Sequence, residues 1–429
     1  MDNIANDLNT LLKGTIVDTL LTDVGKRLYF PLGIVSQSQG ASKAKCTINA
    51  TAGVALQDGH HITHPLFNEF SHIVSSDEMV SYAPTAGVFL LRKAWMEHIH
   101  HENPLLNDIS HSLPVVTSGL THAISVISQL FIDENTTIII FSPSWDNYQL
   151  IFDVKHQANI LHFSLFDERG VLDIAGWKRE CEQIQEEKLV FLFNFPNNPT
   201  GYTPSTIEME EITHLLIEMA RGGKKILSII DDAYAGLFHT DVPSLYSLFS
   251  SLANAHENIL AVKCDAATKE SLVWGFRVGF ITYGAKNLLP HHYEALIEKT
   301  KGAVRCSISS ASMMSQSLLL KVLTAPHYSS TIQNVKDEMK RRYEKVMESI
   351  HLYQGEDDIL TPFPSNSGYF ISLSYKGDAT TLRLALLKEG IGVISLGDHI
   401  IRIAYSAVNF ESIDHLVQSV FVGARNLWK

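Results

Sequence analysis

Short, nearly continuous hydrophobic runs recur through the middle of the chain and are separated by longer amphipathic stretches. A strand that is apolar on both faces is typical of a mostly parallel sheet with helices on each side. The runs that fit this description are residues 138–141, 190–193, 226–230 and 259–262. We therefore predict four buried strands of one sheet.

A helix is predicted between the second and third of these strands. Ser205 can cap its N-terminus, and Glu208, three residues later, completes a capping box. Apolar residues then recur at helical spacing, namely Met209, Ile212, Leu216 and Met219. Strands that alternate with helices indicate a doubly wound, mostly parallel α/β domain.

The C-terminal part of the chain has a different pattern. A charged helix over residues 335–350 precedes strand-like runs at 369–373 and 400–404, with another helical pattern between them. This pattern predicts a smaller α+β domain, which the N-terminal residues join. The predicted divisions are an N-terminal arm with part of the small domain (1–65), a large cofactor-binding domain (66–325) and a C-terminal small domain (326–429).

Composition and charge narrow the class of protein. The 429 residues are 45% hydrophobic and 19% charged, as in a globular protein with more than one structural unit. The net charge of -12, without a run of Lys and Arg, argues against a nucleic-acid partner. The N-terminus lacks signal-peptide features, and no apolar run approaches the ~20 residues of a membrane helix. We expect a cytoplasmic protein with no membrane partner.

Polar residues cluster just beyond the predicted strands, where ligands lie in open α/β sheets. A Gly-containing turn at residues 117–121 opens a helical pattern, and such a turn favours an anion because its backbone N–H groups are free. The segments after the strands are 142–145 (Ser-Pro-Ser-Trp), 194–201 (Asn-Phe-Pro-Asn-Asn-Pro-Thr-Gly), 231–234 (Asp-Asp-Ala-Tyr) and 263–269 (Lys-Cys-Asp-Ala-Ala-Thr-Lys). They offer an aromatic ring, an amide, a carboxylate and an amine.

Pyridoxal 5′-phosphate requires this combination of groups. Its aldehyde bonds to a lysine amine, and a carboxylate keeps its ring nitrogen protonated so that the ring acts as an electron sink. Its phenolic oxygen needs donors, its ring needs a flat apolar neighbour, and its phosphate needs N–H groups and an arginine. Each residue type has a match in this sequence, and we predict this cofactor.

In their order along the chain, the motifs resemble the aspartate aminotransferase family, the fold-type-I pyridoxal-phosphate enzymes, from about residue 49 to residue 407. The motifs that carry the resemblance are 198–201 (Asn-Pro-Thr-Gly), 231–234 (Asp-x-Ala-Tyr) and Lys269 followed by Arg277 eight residues later. The resemblance implies that Lys269 holds the cofactor and moves the proton, and that Asp231 pairs with the ring nitrogen. It also implies that Asn198 and Tyr234 bond the phenolic oxygen and that Trp145 stacks on the ring. The implied catalytic residues are Lys269, Asp231 and Tyr234.

The resemblance also implies where the cofactor phosphate binds. The residues implied are Gly119, Leu120, Thr121 and Arg277. This chain departs from the family three residues before the lysine, where a phosphate-binding serine is usual and Ala266 stands instead. Thr268 and Thr121 are the two candidates to replace that hydroxyl.

Further matches concern the substrate and a partner subunit. Arg402 is similar to the arginine that clamps the substrate α-carboxylate, which a guanidinium can bind through two hydrogen bonds. Asn198 and Gly53 are expected beside it. Tyr82 resembles the tyrosine that reaches the phosphate from the partner subunit, so a homodimer is implied. Arg305 resembles the arginine that crosses from the partner to a side-chain carboxylate, and a helix-end or phosphate-side arginine is the alternative interpretation.

The resulting hypothesis is an aminotransferase that moves an amino group between an L-amino acid, dicarboxylic or aromatic by preference, and a 2-oxo acid. A carbon–sulfur lyase or another elimination enzyme is the alternative, because the fold alone does not fix the reaction. A cofactor-binding regulatory domain is the non-enzymatic alternative, but the acidic N-terminus offers no DNA-binding module. The histidines around residues 60–64 and 98–101 lack the spacing of a metal site, so no metal is predicted.

Overall fold

The computed structural model describes residues 2–355 and 359–428. Its strands belong to two main sheets and two short pairs. In chain order the strands are β1 Ile48–Asn49, β2 Leu56–Gln57, β3 His60–His61, β4 Val115–Thr117, β5 Thr137–Ser142, β6 Asn159–Ser164, β7 Lys188–Asn194, β8 Lys225–Asp231, β9 Ile259–Ala266, β10 Gly279–Ala285, β11 Leu360–Pro362, β12 Phe370–Tyr375, β13 Ile391–Gly392, β14 Ile394–Leu396 and β15 Ile400–Ala404.

Helices precede, separate and follow these strands. In chain order they are α1 Asn3–Leu12, α2 Ile16–Leu20, α3 Asp23–Arg27, α4 Ile34–Lys43, α5 Pro65–Phe70, α6 Ser76–Val80, α7 Phe89–Glu102, α8 Leu120–Phe131, α9 Asn147–Gln149, α10 Ile174–Cys181, α11 Thr206–Arg221, α12 Leu248–Leu252, α13 Ala267–Glu270, α14 Pro290–Ser307, α15 Met313–Leu323, α16 Tyr328–Tyr353, α17 Ala379–Lys388 and α18 Ile413–Trp428. None of the helices in the described residues is both long and apolar enough to cross a membrane.

The large sheet has seven strands in the order β4-β10-β9-β8-β7-β5-β6. The pairs from β6 through β9 are parallel, and β10 is antiparallel to both of its neighbours. The four predicted strands lie within β5, β7, β8 and β9, and their order is that of a doubly wound sheet. The predicted α/β fold class is therefore confirmed.

Side chains that alternate along the strands enter two hydrophobic clusters, one on each face of the large sheet. On β8, Ile226 and Ile230 join a cluster with α7, α11 and α15, which we call the back face. Leu227 and Ile229 join a cluster with α8 and α14 on the other side, the front face. The predicted helix is α11, and Ser205 and Glu208 form its capping box. Burial on both faces explains why these strands are so uniformly apolar.

The smaller sheet is antiparallel, in the order β11-β12-β15-β14. Helices α16, α17 and α18 pack against it around a third cluster of buried side chains. Near the N-terminus, β1 pairs in parallel with β13, and Ala50 accepts a backbone hydrogen bond from Ala404 of β15. The N-terminal residues thus bring Thr51 and Gly53 beside β15.

Candidate active site

A cleft of about 240 Å³ lies beyond the carboxyl ends of β5, β7, β8 and β9, and β15 closes one side of it. Eleven of the residues that the sequence predicted for the site line this cleft. They are Gly53, Leu120, Thr121, Trp145, Asn198, Asp231, Tyr234, Thr268, Lys269, Arg277 and Arg402. Sequence reasoning did not identify six others that also line it: Ile34, Tyr148, Asn194, Ala233, Trp274 and Phe370.

Lys269 lies on α13, the one-turn helix that follows β9 directly. Its ammonium nitrogen is 4.8 Å from the centre of the Tyr234 ring, and its backbone carbonyl accepts a hydrogen bond of 3.1 Å from Tyr369. Burial, opposed by Asp231 and assisted by Arg277, lowers the pKa of Lys269 to about 8. The amine can therefore exchange a proton close to neutral pH.

Asp231 ends β8 and is only 2% exposed. Its Oδ2 accepts a 2.6 Å hydrogen bond from the hydroxyl of Tyr148, and its Oδ1 accepts one of 3.1 Å from the backbone N–H of Ala233. Burial raises the pKa of Asp231 to about 6, although both hydrogen bonds and Lys269 favour the ionised form. No cationic side chain among the described residues forms an ion pair with this carboxylate.

Asn198 and Tyr234 line the same cleft as Asp231 and Arg402. The Oδ1 of Asn198 accepts a 3.1 Å hydrogen bond from Arg402, and its backbone N–H donates to the side chain of Asn194 at 2.8 Å. Burial raises the pKa of Tyr234, so its hydroxyl is a neutral donor. A Cβ atom at Gly53 would lie 3.5 Å from that hydroxyl oxygen and 3.0 Å from the ring of Phe370. Glycine at this position therefore keeps the cleft open.

A second end of the cleft is formed by the start of α8. Gly119 precedes this helix with φ +80°, and no side chain caps the helix. A Cβ atom at Gly119 would lie 2.5 Å from Nη2 of Arg277, so only glycine lets the guanidinium approach. The hydroxyl residues Thr121 and Thr268 line the cleft here, whereas Ala266 has no hydroxyl. Free N–H groups beside a guanidinium form an anion site.

Arg402, on β15, is 1% exposed and approaches the cleft from the small domain. Its two terminal nitrogens donate to Asn198 and to the backbone carbonyl of Thr51 at 2.9 Å. Its Nε has no acceptor among the described residues, and its guanidinium lies 4.3 Å from the centre of the Phe370 ring. Burial lowers the pKa of Arg402 to about 10. Such a guanidinium, without a carboxylate partner, suits an anionic ligand.

Trp145 follows β5 and is half-buried at the cleft. Its ring meets that of Tyr148 edge to face, with centroids 5.4 Å apart and an angle of 83°. Tyr148 was missed by sequence reasoning, but one signal could have found it. It lies three residues after Trp145, the spacing that brings two side chains together on a helical turn.

Three predicted residues do not line the cleft itself: Gly119, which lies next to it beside Arg277, and Tyr82 and Arg305, which are exposed. Tyr82 is 95% exposed, in the segment after α6. Arg305 is exposed near the end of α14, where its Nη1 is 3.4 Å from the hydroxyl of Ser309. Both were predicted to act across a subunit interface, so their exposure in a single chain leaves that prediction open. The described residues contain no group of three or more His, Cys, Asp or Glu side chains that could hold a metal ion.

Comparisons with known proteins agree with this arrangement. The sequence profile of "Aminotransferase class I and II" matches residues 47–420. A curated relative, the probable aspartate/prephenate aminotransferase of Aquifex aeolicus, is 25% identical over 321 residues, which cover 73% of this chain and 75% of the relative.

Solved structures show the same fold. An aminotransferase from Anaerococcus prevotii superposes with a TM-score of 0.83 at 24% identity, covering 92% of this chain and 98% of that one. The kynurenine aminotransferase of Pyrococcus horikoshii, solved in complex with PMP, gives 0.80 at 14% identity over 98% of this chain and all of that one (100%). With the profile match extending over most of its length, this chain belongs to the aminotransferase class I and II family.

Proposed function

We propose that this aminotransferase moves an amino group between an L-amino acid and a 2-oxo acid in the cleft described above, with Lys269 as its central residue. The observation that carries the proposal is that a lysine amine, a buried carboxylate and a buried guanidinium line one cleft, namely Lys269, Asp231 and Arg402. Pyridoxal 5′-phosphate, the cofactor of this family, supplies an electron sink for negative charge at the substrate Cα.

The residues of the cleft fit this cofactor. The uncapped start of α8, which Arg277 can approach because Gly119 has no side chain, suits a phosphate group. Asp231 would pair with the ring nitrogen, and Asn198 and Tyr234 would bond the phenolic oxygen. Trp145 presents a flat apolar surface for the ring. Thr121 and Thr268 are the hydroxyl residues that can replace the serine missing at Ala266.

Lys269 would hold the cofactor aldehyde and, once released by the substrate amine, move a proton from the substrate Cα. An amine is a base only in its neutral form, and a pKa of about 8 leaves part of Lys269 neutral near pH 7.5. Lys269 would thus serve both as the covalent carrier of the cofactor and as the base.

Arg402 would bind the α-carboxylate of the substrate. Its guanidinium is already oriented by Asn198 and Thr51, so little side-chain freedom is lost on binding. The narrow space at Gly53 places the carboxylate next to these donors. A substrate held in this way presents its Cα toward Lys269.

We further propose a homodimer in which Tyr82 reaches the phosphate site of the partner. Exposed apolar side chains are concentrated in the first 35 residues, which supports burial of this segment against a second copy. They include Leu11, Ile16, Leu20, Phe30 and Leu32. The domain divisions at residues 65 and 325 and the cytoplasmic location stay predictions.

The substrate preference proposed is for dicarboxylic or aromatic amino acids. In the dimer, Arg305 would meet a side-chain carboxylate in the partner's cleft. Arg305→Ala should then cost roughly 2–5 kcal/mol of transition-state binding for aspartate and glutamate, and far less for tyrosine and alanine. The measurement is kcat/KM for the four amino acids. Equal losses for all four would remove Arg305 from the substrate pocket.

Two experiments test the proposed function itself. Purified protein should be yellow, and borohydride should fix pyridoxal onto a peptide that contains Lys269. Incubation with amino acids and 2-oxoglutarate should yield a new 2-oxo acid and glutamate in equal amounts. Release of pyruvate with ammonia and a thiol, without glutamate, would instead identify an elimination enzyme.

A further inference from the structure

Tyr148 is a buried residue of the cleft for which the proposed function gives no task. It is 2% exposed, and its hydroxyl donates a 2.6 Å hydrogen bond to Oδ2 of Asp231. Burial and the adjacent carboxylate raise the pKa of Tyr148 well above its usual value, so the hydroxyl stays protonated. It can therefore only donate to the ionised Asp231.

The packing around Tyr148 fixes the direction of this hydroxyl. The residue lies on α9, which continues into a π-helical turn at Leu150–Val154. Its ring packs edge to face on Trp145 and contacts Phe152 with centroids 6.4 Å apart. A tyrosine ring packed against two aromatic neighbours loses little freedom when its hydroxyl hydrogen-bonds to a carboxylate.

The other groups that face Asp231 do not replace the hydrogen bond from Tyr148. The N–H of Ala233 bonds the other carboxylate oxygen, and Lys269 acts at longer range. Asp232 opposes ionisation of Asp231, while Tyr234 and Cys264 lie close enough to be influenced by its charge. Tyr148 is thus the one side chain of the described residues that donates a hydrogen bond to this carboxylate.

We propose that Tyr148 is a positioning residue that holds Asp231 ionised and oriented toward the ring nitrogen of the cofactor. The inference rests on the proposed function, because it assigns Asp231 to that nitrogen. Tyr148 does not itself touch the reacting atoms. Its contact with Trp145 also ties the carboxylate to the residue proposed to stack on the ring.

The expected effect follows from the charge of Asp231. Among the groups around Asp231, the bond from Tyr148 is the largest contribution that favours ionisation, against burial, which disfavours it. Without this bond the carboxyl group should keep its proton to a higher pH, by about one pH unit. A protonated Asp231 cannot stabilise a positive ring nitrogen, so the affinity for the cofactor should fall in the same pH range.

The test measures equilibrium binding of pyridoxal 5′-phosphate to the apoprotein between pH 5 and pH 9, by absorbance and by quenching of tryptophan fluorescence. Wild type is compared with Tyr148→Phe and with Tyr283→Phe. Tyr283 is a matched control because it is buried on β10 and its hydroxyl makes a bond of 2.6 Å to Thr300, outside the cleft. The cofactor's own titrations are common to all variants and cancel in the comparison.

Wild type should lose affinity toward acid pH with a midpoint near the Asp231 pKa of about 6. Tyr148→Phe should move this midpoint upward by about one pH unit and bind about threefold more weakly near pH 6.5 and close to tenfold more weakly at pH 5, with affinities that converge at pH 9. Tyr283→Phe should match wild type. An unchanged midpoint in Tyr148→Phe, or equal shifts in both variants, would overturn the proposal.

A double-mutant cycle keeps the proposal testable if Tyr148→Phe is poorly folded at acid pH. Asp231→Asn should remove the acid-side transition, and adding Tyr148→Phe should then change the affinity little further, because the group through which it acts is gone. Additive losses in the double variant would contradict the proposal. If wild type bound no cofactor at all, the proposed function would fail instead, which separates the two outcomes.

Discussion

Two groups of charged side chains lie on opposite faces of the large sheet, near the carboxyl ends of β8 and β9. Residues that are adjacent in the sequence belong to different groups. Asp231 faces the cleft on the front face, whereas Asp232 lies on the back face. Lys269 also lines the cleft, and Glu270 lines a back-face cavity. Asp231 and Asp232 point to opposite faces because successive side chains alternate along extended backbone. Lys269 and Glu270 point in different directions because they are consecutive residues of helix α13.

The back-face charges have partners. Lys263 bonds directly to Asp232 and lies 3.4 Å from Asp265, and Ser247 donates to Asp232 at 2.6 Å. Burial alone would lower the pKa of Lys263, but the two carboxylates raise it above its usual value. Trp95 donates to Asp265 at 3.1 Å. We call Lys263, Asp232 and Asp265 the back cluster.

The front-face charges lack such ion-pair partners, and the two lysines differ accordingly. Burial lowers the pKa of Lys269 to about 8, whereas the neighbouring carboxylates raise that of Lys263. Burial raises the pKa of Asp231 to about 6, as it does for Asp265 in the back cluster. A buried charge without a partner is costly, so it suggests a ligand that completes the site. We propose from this comparison that the pairing of a charge, more than its burial, distinguishes the residues that serve the reaction from those that serve stability in this protein.

The largest expected effect comes from the front-face lysine. Lys269→Met should lower kcat/KM by about 10⁴-fold or more, because covalent carrier and base vanish together. The melting temperature of the apoprotein should stay equal or rise, since an unpaired buried amine is replaced by an apolar chain. Initial rates and calorimetry check both expectations. Turnover at a wild-type rate would contradict the assignment of Lys269.

The same substitution at the back-face lysine, six residues earlier, should give the opposite result. Lys263→Met leaves Asp232 and Asp265 without a cation and should lower the free energy of unfolding by about 3–5 kcal/mol. At a temperature where the variant is folded, kcat/KM should stay within about tenfold of wild type. Denaturant unfolding followed by circular dichroism measures the loss. A variant as stable as wild type would remove the distinction between the two faces.

The two adjacent aspartates provide a second matched pair. Asp231→Asn should lower kcat about 10²–10³-fold, because an amide stabilises the charged ring nitrogen poorly, while the unfolding free energy stays near that of wild type. The isotope effect with α-deuterated substrate should increase as proton transfer becomes rate-limiting. Asp232→Asn should instead reduce stability and preserve kcat. Equal activity losses at the two positions would mean that both carboxylates serve the reaction.

The sequence predicted the front-face cleft better than the back cluster. Polar residues after apolar strands identify the cleft, since strand ends meet at one edge of a sheet. Strand β6 was not predicted because its edge position leaves polar residues in it. The antiparallel direction of β10 was not predicted either, because the direction of a strand leaves no local signal in the sequence. The contacts of Tyr148 with Asp231 and of Trp95 with Asp265 span 83 and 170 residues, so a local pattern cannot reveal them.

The smallest expected effect concerns the ion pair between His98 and Glu270, whose side chains are 3.2 Å apart. Burial alone would raise the pKa of Glu270, but His98 outweighs it and lowers that pKa from 4.5 to about 2. Burial likewise opposes protonation of His98, and Glu270 outweighs it and raises the pKa above 6.5. The carboxylate thus stabilises the fold above pH 4.5 and loses this contribution as the pH falls toward 2. The imidazolium stabilises the fold below pH 6.5 and loses its contribution as the pH rises.

The pair should therefore contribute most between pH 4.5 and pH 6.5. His98→Gln should lower the free energy of unfolding by about 2 kcal/mol at pH 6 and by clearly less at pH 9, because the contribution of a raised pKa is lost as the pH rises. His111→Gln is the control, because burial lowers the pKa of His111 and protonation then favours the unfolded chain. Relative to wild type, that variant should gain stability as the pH falls, opposite to His98→Gln. Unfolding curves at four pH values measure both trends, and parallel trends would show that the His98–Glu270 pair does not set the pH dependence.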